Sequence, residues 1–293
     1  MPDYVSDPQQ RARLLRLATW SSVCVACLLI LLKASVWIAS GSVSLLASLT
    51  DSLMDAGASI INLLAVRYAL KPADEDHRFG HGKAEALAAL AQAAFISGSA
   101  LLVLLQGFDR LFNPRPLDSA LLGVAVMLFS IVATLGLLAV QHYVIRRTRS
   151  TAIRADSLHY RSDLLLNGSV LLALLLAYYG IQRADALFGL AIALFIGYSA
   201  IQIGRDAINI LMDQELSDEI REEALSLARA VPGVIDVHDL RTRQSGQHWF
   251  MQIHVELPAS LSLEQAHACG EQVRQRIEQR FPQADVLVHK DPA

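Results

Sequence analysis

The sequence predicts an all-α bundle of six transmembrane helices followed by a small cytoplasmic α+β domain. Of the 293 residues, 53% are hydrophobic and 18% are charged, whereas soluble domains have about 25% charged residues. The apolar residues cluster into runs of ~20 residues or more, which is long enough to cross a bilayer as a helix. After Asp213 the composition changes to that of a soluble domain.

Six apolar runs account for the first two-thirds of the chain. A polar loop over 71–83 separates the second run from the third, and Asn113-Pro-Arg-Pro116 ends the third because proline cannot continue a helix. The predicted spans cover 14–39, 43–68, 84–112, 117–145, 153–180 and 184–212.

The distribution of basic residues predicts the orientation of these spans. Arg110, Arg115 and Arg183 are the basic residues at one end of the bundle. The opposite end collects Arg11, Arg13, Arg16, Lys71, Arg78, Lys83, Arg146, Arg147, Arg149 and Arg154. Cytoplasmic loops carry the excess of Lys and Arg, so six spans place both termini in the cytoplasm. The expected division is a tail over 1–13, a transport domain over 14–212 and a cytoplasmic domain over 213–293.

The remaining composition excludes several classes. A net charge of −3 argues against a nucleic-acid partner. Residues 1–10 lack the basic, apolar and small-residue order of a cleaved signal peptide, so the first span should act as an uncleaved insertion signal. Three cysteines are too few for a disulfide framework.

The last 80 residues or so read as the order αββαβ. Helical periodicity covers 215–230 and 263–281, and strands are predicted over 234–244, 248–257 and 284–290, with Ser245-Gly246 as the hairpin signal. Trp249, Met251, Ile253, Val255 and Leu257 alternate onto one face of the second strand. This pattern predicts a sheet with helices on one of its faces.

Two pairs of polar residues lie inside predicted spans. Asp51 and Asp55 in the second span, and His159 and Asp163 in the fifth, each share one helix face at spacing i, i+4. A carboxylate at membrane depth costs at least ~2.5 kcal/mol. Three carboxylates and one imidazole suit a tetrahedral divalent metal. The alternative to a metal site is a hydrogen-bonded polar seam between helices.

One further charged residue, Lys33, lies alone within the apolar part of the first span. It is interpreted as a snorkelling or bundle-facing group.

Further potential ligands lie outside the spans. Asp74, His77 and His81 fall within the 71–83 loop, where solvated side chains are the alternative. In the tail, four histidines sit on four different elements and precede Asp291, and spacing cannot show that they converge. They are His238, His254, His267 and His289.

Four motifs together resemble the cation diffusion facilitator family. They are Asp51-x-x-x-Asp55, PADxxHxFGHGKAE over 72–85, His159-Tyr-x-Ser-Asp163, and HDLRTRQSG over 238–246. They are most similar to its bacterial zinc and ferrous-iron efflux branch (YiiP-type), and the likeness covers essentially the whole chain.

The resemblance implies three metal sites and a homodimer. Asp51, Asp55, His159 and Asp163 would form the transport site, and Asp74, His77 and His81 a loop site. His238, His254, His267, His289 and Asp291 would form a cytoplasmic binuclear site in a metallochaperone-like tail. The resemblance also implies that Lys83 and Asp213 form a charge pair near the junction of the membrane and tail domains of the dimer.

The expected activity is Zn²⁺ efflux across the bacterial inner membrane, with Cd²⁺ and Fe²⁺ as further substrates. Ligands must lose their protons to bind a metal, which gives a physical basis for proton antiport. Carboxylate and imidazole ligands do not discriminate these ions from Mn²⁺ or Co²⁺. Among rival classes, an intramembrane protease would need HExxH, which this sequence lacks. A channel would conduct without proton coupling, and a membrane-anchored metal sensor would not explain ligand pairs inside two spans.

Overall fold

A computed structural model describes residues 7–40, 43–112, 121–178 and 184–293. Six long helices come first: α1 (Pro8–Ser40), α2 (Val43–Ala69), α3 (Lys83–Phe112), α4 (Leu121–Thr148), α5 (Thr151–Tyr178) and α6 (Ala184–Leu211). They confirm the six predicted helices. The predicted breaks at Gly41-Ser42 and Asn113–Pro116 lie outside the described residues.

Five of these helices, within the described ranges, are long and apolar enough to cross a membrane: α1, α2, α3, α4 and α6. Helix α5 carries His159 and Asp163. Its 28 residues would extend about 42 Å, which is long enough to cross a bilayer. Its first half buries polar side chains, among them Asp156 and Ser157, and its second half contains the apolar runs 164–166 and 170–176.

Small residues let the long helices approach closely. Ala89, Ala93, Ile96 and Ala100 repeat at intervals of three and four along α3 and pack in one buried cluster with residues of α5 and α6. A second buried cluster joins Leu15 of α1 with residues of α2 to α5. Packing of this kind suits helices in lipid, where close van der Waals contact stabilises association.

Helix α1 begins six residues before the predicted first span, so residues 8–13 are helical. Tertiary contacts account for the extension. The Arg11 guanidinium lies 3.4 Å from the Glu85 carboxylate, with both side chains buried, and it donates to the Thr148 carbonyl at 3.5 Å. A buried cation requires such partners, and they hold the first turns of α1 against α3 and the end of α4.

The C-terminal part has the predicted order αββαβ. It contains α7 (Asp218–Arg229), β1 (Asp236–Ser245), β2 (His248–Leu257), α8 (Leu263–Arg280) and β3 (Ala284–Pro292). The sheet order is β1-β2-β3, with β1 antiparallel and β3 parallel to β2. Met251, Ile253, Val255 and Leu257 are at most 3% exposed and pack with residues of both helices, which confirms the predicted alternation.

The described chain divides into two compact units, and the 71–83 loop belongs with the tail. One unit comprises 1–70 and 84–207, and the other comprises 71–83 and 208–293. Within the second unit, the Phe79 ring packs edge-on against Phe250 at 5.3 Å between ring centroids, and the Arg243 guanidinium lies over both rings. A Cβ atom at Gly82 would lie 2.4 Å from the Ser245 carbonyl oxygen, so this approach requires glycine.

Candidate metal sites

The helical unit brings one imidazole and two carboxylates together. His159 Nε2 lies 2.9 Å from Asp55 Oδ1 and 3.8 Å from Asp163 Oδ2. One donor atom from each of the three residues lies within 4.8 Å of the others. One member of the α2 pair, Asp55, and both members of the α5 pair therefore meet across the two helices. Carboxylate and imidazole donors at this separation can surround a divalent ion.

Asp51 does not join that group of three but lines the same cavity. The cavity has a volume of roughly 160 Å³ and is also lined by Asp55, Asp163 and Lys33. Ser130 and Thr134 of α4 contribute hydroxyl groups to its wall, and Asn167 contributes an amide. The cavity thus presents three carboxylates and one ammonium group to a small ion.

A buried polar network, which the sequence analysis missed, lies one turn before His159. Asp156 is fully buried, and its carboxylate accepts hydrogen bonds from Ser22 Oγ at 2.6 Å, Gln92 Nε2 at 3.1 Å and Gln141 Nε2 at 2.8 Å. These partners belong to α1, α3 and α4. The spacing i, i+3 from Asp156 to His159 on one apolar helix was the available signal.

A second polar link positions the site from the next residue. The Tyr160 hydroxyl lies 2.8 Å from Ser59 Oγ of α2 and donates to the Ser22 carbonyl of α1 at 3.3 Å. Tyr160 is 2% exposed and Ser59 is 1% exposed. This link joins α5 to the two neighbouring helices and so fixes the height of His159 against Asp55.

The loop brings its three predicted donors together. Asp74 Oδ1 lies 3.3 Å from His77 Nδ1, and Asp74 Oδ2 lies 3.2 Å from His81 Nε2. The backbone N–H of His77 also donates to Asp74 Oδ1 at 2.7 Å, and this bond, with the two imidazoles nearby, lowers the pKa of Asp74. Asp74 and His77 are exposed while His81 is buried, so the group could bind an ion from solvent.

The tail sheet places three histidines in one row across its strands. His238 of β1 pairs with His254 of β2, which pairs with His289 of β3. Asp291 Oδ2 lies 2.9 Å from His254 Nδ1 and 3.6 Å from His238 Nε2, and its Oδ1 lies 3.2 Å from His289 Nε2. The hydrogen bond with His254, aided by the neighbouring imidazoles, lowers the pKa of Asp291.

Not every predicted tail ligand joins this row. His267 of α8 is exposed and is absent from the described group of His238, His254 and Asp291, whose donor atoms lie within 4.8 Å. Conversely, Glu256 Oε1 lies 3.7 Å from His238 Nδ1 and was not singled out from the sequence. Its spacing of two from His254 puts both on one strand face, which was the available signal.

The predicted charge pair is also present within the second unit. Lys83 Nζ lies 2.8 Å from Asp213 Oδ1 and donates to the Leu211 carbonyl at 3.3 Å. The Lys83 hydrogen bond lowers the pKa of Asp213, and Arg243 adds to the effect. Asp213 adopts a left-handed backbone with φ of 57°, which the two cations help to hold.

A bundle of long apolar helices with a ligand cluster between two of them defines a multi-pass membrane protein that handles metal ions. Two family models match: "Cation efflux transmembrane domain" over residues 19–212 and "Cation efflux protein, cytoplasmic domain" over 216–293. The chain belongs to the cation efflux (cation diffusion facilitator) family. It is therefore a cation transporter and not an enzyme.

Curated relatives match along nearly the whole chain. The "Cation-efflux pump FieF" of Serratia proteamaculans (strain 568) is 52% identical, covering 97% of this chain and 94% of the relative. The protein of the same name from Yersinia enterocolitica serotype O:8 is 51% identical, covering 98% and 95%. Among solved structures, "MamM-CTD 215-293" is 23% identical and covers 26% of this chain and 98% of that chain, with a TM-score of 0.25.

Proposed function

We propose that this transporter exports Zn²⁺, with Cd²⁺ and Fe²⁺ as further substrates, across the bacterial inner membrane in exchange for protons. The observation that carries the proposal is the meeting of Asp55, His159 and Asp163 within 4.8 Å beside a cavity that Asp51 also lines. Three carboxylates and an imidazole are donors that tetrahedral Zn²⁺ accepts.

Antiport follows from the chemistry of these donors. Each must be free of its proton to bind the metal, so metal and protons compete for one site. An ion that leaves on the outer side is replaced there by protons, which the proton gradient then draws inward. Access from each side in turn requires the helices to rock around the site, as in other secondary transporters.

The loop and tail donors are proposed as regulatory metal sites of a homodimer. The match to the family's cytoplasmic domain supports association of two tails. In the tail, Asp291 lies between three imidazoles and uses both oxygens, which suits a carboxylate that bridges two ions. His267 completes this set if α8 or the partner's tail approaches the row on metal binding.

Uptake into proteoliposomes with an acidic lumen tests the transport site and the coupling. Asp55→Ala or Asp163→Ala should abolish Zn²⁺ uptake, because each removes a metal ligand, whereas Asp109→Asn at an exposed position of α3 should retain it. Undiminished uptake by Asp163→Ala would refute the transport-site assignment. Uptake by the wild-type chain that ignores the pH gradient would refute antiport and favour a channel.

A further inference from the structure

Lys33 of α1 faces the carboxylates of the proposed transport site. It lines the cavity together with Asp51, Asp55 and Asp163. A lysine at membrane depth is costly unless it faces the bundle interior and is paired there. The proposed set of metal ligands does not include Lys33 and so does not explain why a lysine lies there.

Two hydrogen bonds to residues of α2 hold the ammonium group of Lys33 in place. It donates to Ser52 Oγ at 2.7 Å and to the Ser48 carbonyl at 3.1 Å, and Ser52 is only 2% exposed. Ser52 lies on the helical turn that carries Asp51 and Asp55. The charge is thus anchored beside the site rather than free to leave it.

This anchoring leaves the carboxylate oxygens available. Asp55 and Asp163 both face His159 Nε2, at 2.9 and 3.8 Å, while the Lys33 hydrogen bonds go to a serine hydroxyl and a backbone carbonyl. Lys33 therefore acts on the cavity through space. An ammonium in direct contact with the same oxygens would instead compete with a metal for its ligands.

The charges in the cavity balance when a dication is bound. The three aspartates carry three negative charges once they have lost their protons. The ammonium offsets one of these, and a divalent ion offsets the other two. Without Lys33 the empty site would carry three unpaired negative charges instead of two, so it would attract any cation more strongly, and the site loaded with a divalent ion would still keep one of them.

We infer that Lys33 is the fixed counter-charge of the transport site, which lowers its affinity for cations and matches it to divalent ions. The inference rests on the proposed function, since it assumes that the cavity binds the transported metal. Repulsion between the ammonium and the ion also favours release, which a transporter needs as much as binding. Lys33 is then a specificity-determining and positioning residue that does not touch the metal.

The test measures Zn²⁺ and Tb³⁺ binding by purified full-length protein, using competition with a chelating dye. His81→Ala and Asp291→Ala in the background chain remove donors of the loop and tail groups. In this background Lys33→Met should bind Zn²⁺ about tenfold and Tb³⁺ about thirtyfold more tightly, because repulsion scales with the charge of the ion. Lys33→Arg should stay within about threefold of the background for both ions.

Transport kinetics give a second readout. Tighter binding with slower release should lower both KM and kcat for Zn²⁺ in Lys33→Met, whereas loss of a merely structural tether would not lower KM. Arg13→Gln is the matched control, because it removes a cation from the same helix about 30 Å away and should change neither constant.

The outcomes separate the two proposals. If Asp163→Ala binds Zn²⁺ as well as the background chain, the cavity is not the metal site and the proposed function fails. A different result overturns only the inference about Lys33. In that case Asp163→Ala loses Zn²⁺ binding, but Lys33→Met binds the ions no more tightly, or binds Zn²⁺ and Tb³⁺ more tightly by the same factor. The inference would also be overturned if Lys33→Arg increased the affinity for these ions as much as Lys33→Met does.

Discussion

Asp74 in the loop and Asp291 in the tail each stand beside imidazoles that favour their ionised form. A backbone hydrogen bond from His77 lowers the pKa of Asp74, and the hydrogen bond with His254 lowers that of Asp291. Both carboxylates therefore remain ionised well below neutral pH. A metal that binds either group therefore meets a carboxylate that has already lost its proton.

The carboxylate of Glu271, one turn after His267 on α8, predicts a pH dependence. Arg274 Nε donates to Glu271 Oε2 at 2.9 Å, and hydrogen bonds from Arg274 and Gln275 lower the pKa of Glu271 to about 2, below the ordinary value of ~4.3. A lowered pKa stabilises the fold above the unfolded-state value, and that stabilisation is lost as the pH falls from ~4.3 toward about 2.

Glu271→Gln should therefore speed amide hydrogen exchange in α8 at pH 7, by a factor that shrinks as the pH approaches 3. Mass spectrometry of the two full-length chains at matched pH gives the ratio of rates. Glu222→Gln, at an exposed position of α7, is the control and should leave α8 unchanged. A ratio that stays constant between pH 7 and pH 3 would contradict the assignment.

At the scale of helices and strands, periodicity predicts which residues share a face, but not which elements meet. Spacing of four paired His159 with Asp163, and the structure brings them to Asp55 as expected. Strand parity paired His289 with Asp291. The alignment of His238 opposite His254 depends on an irregularity in β1 between His238 and Arg241, where Asp239 has a φ of 48°. Sequence patterns do not specify such a shift of register.

Local sequence patterns also do not predict which polar residues become partners inside the bundle. Ser22, Gln92 and Gln141 lie in three different apolar helices, and the sequence of any one helix does not pair its polar residue with those of the other two. Only packing of the four helices shows that they converge on Asp156. Lys33 stands out in the sequence as the one cation within the apolar part of the first predicted span, but its partner Ser52 lies on another helix, so its role depends on the tertiary structure.

Asp156 gives a prediction about how the helices are joined. Asp156→Ala would remove the buried acceptor of the Gln92 and Gln141 side-chain amides, whereas Ser22 Oγ keeps the Ala18 carbonyl at 3.1 Å. Each unsatisfied buried group costs ~1–3 kcal/mol. Asp156→Asn keeps an acceptor oxygen, and its amide can donate to the Oε1 atoms of Gln92 and Gln141, which have no hydrogen-bond partner among the described residues.

Thermal unfolding of the detergent-solubilised protein should therefore rank wild type above Asp156→Asn, with Asp156→Ala the least stable by more than about 2 kcal/mol. Asp163→Ala is the matched control, because Asp163 borders the open cavity and its truncation should cost less. An Asp156→Ala chain that unfolds at the wild-type temperature would show that the network does not hold the helices together.

At the scale of the whole molecule, the two helices that carry the proposed transport-site ligands, α2 and α5, both bury polar residues within apolar sequence. Helix α2 meets the criteria of length and apolarity for a span within the described residues. Helix α5 buries Asp156, Ser157 and His159 in its first half, while residues 164–166 and 170–176 are uninterrupted apolar runs. Polar residues that face the bundle interior are compatible with a spanning helix, so the prediction of six spans includes α5.

The parity of spans gives a decisive test of α5. Six spans put both termini on one side of the membrane, and five put them on opposite sides. A green fluorescent protein that matures only in the cytoplasm should fluoresce when fused before Met1 or after Ala293, since the basic residues predict both ends inside. Fusions to truncated chains then test α5 directly. Fluorescence should persist for a fusion after Thr148, which follows four spans. It should disappear for a fusion after residue 183, which follows five, and alkaline phosphatase fused at that point should be active instead. Fluorescence after residue 183 would mean that α5 does not cross, and the meeting of Asp55 with His159 would then need a different membrane topology.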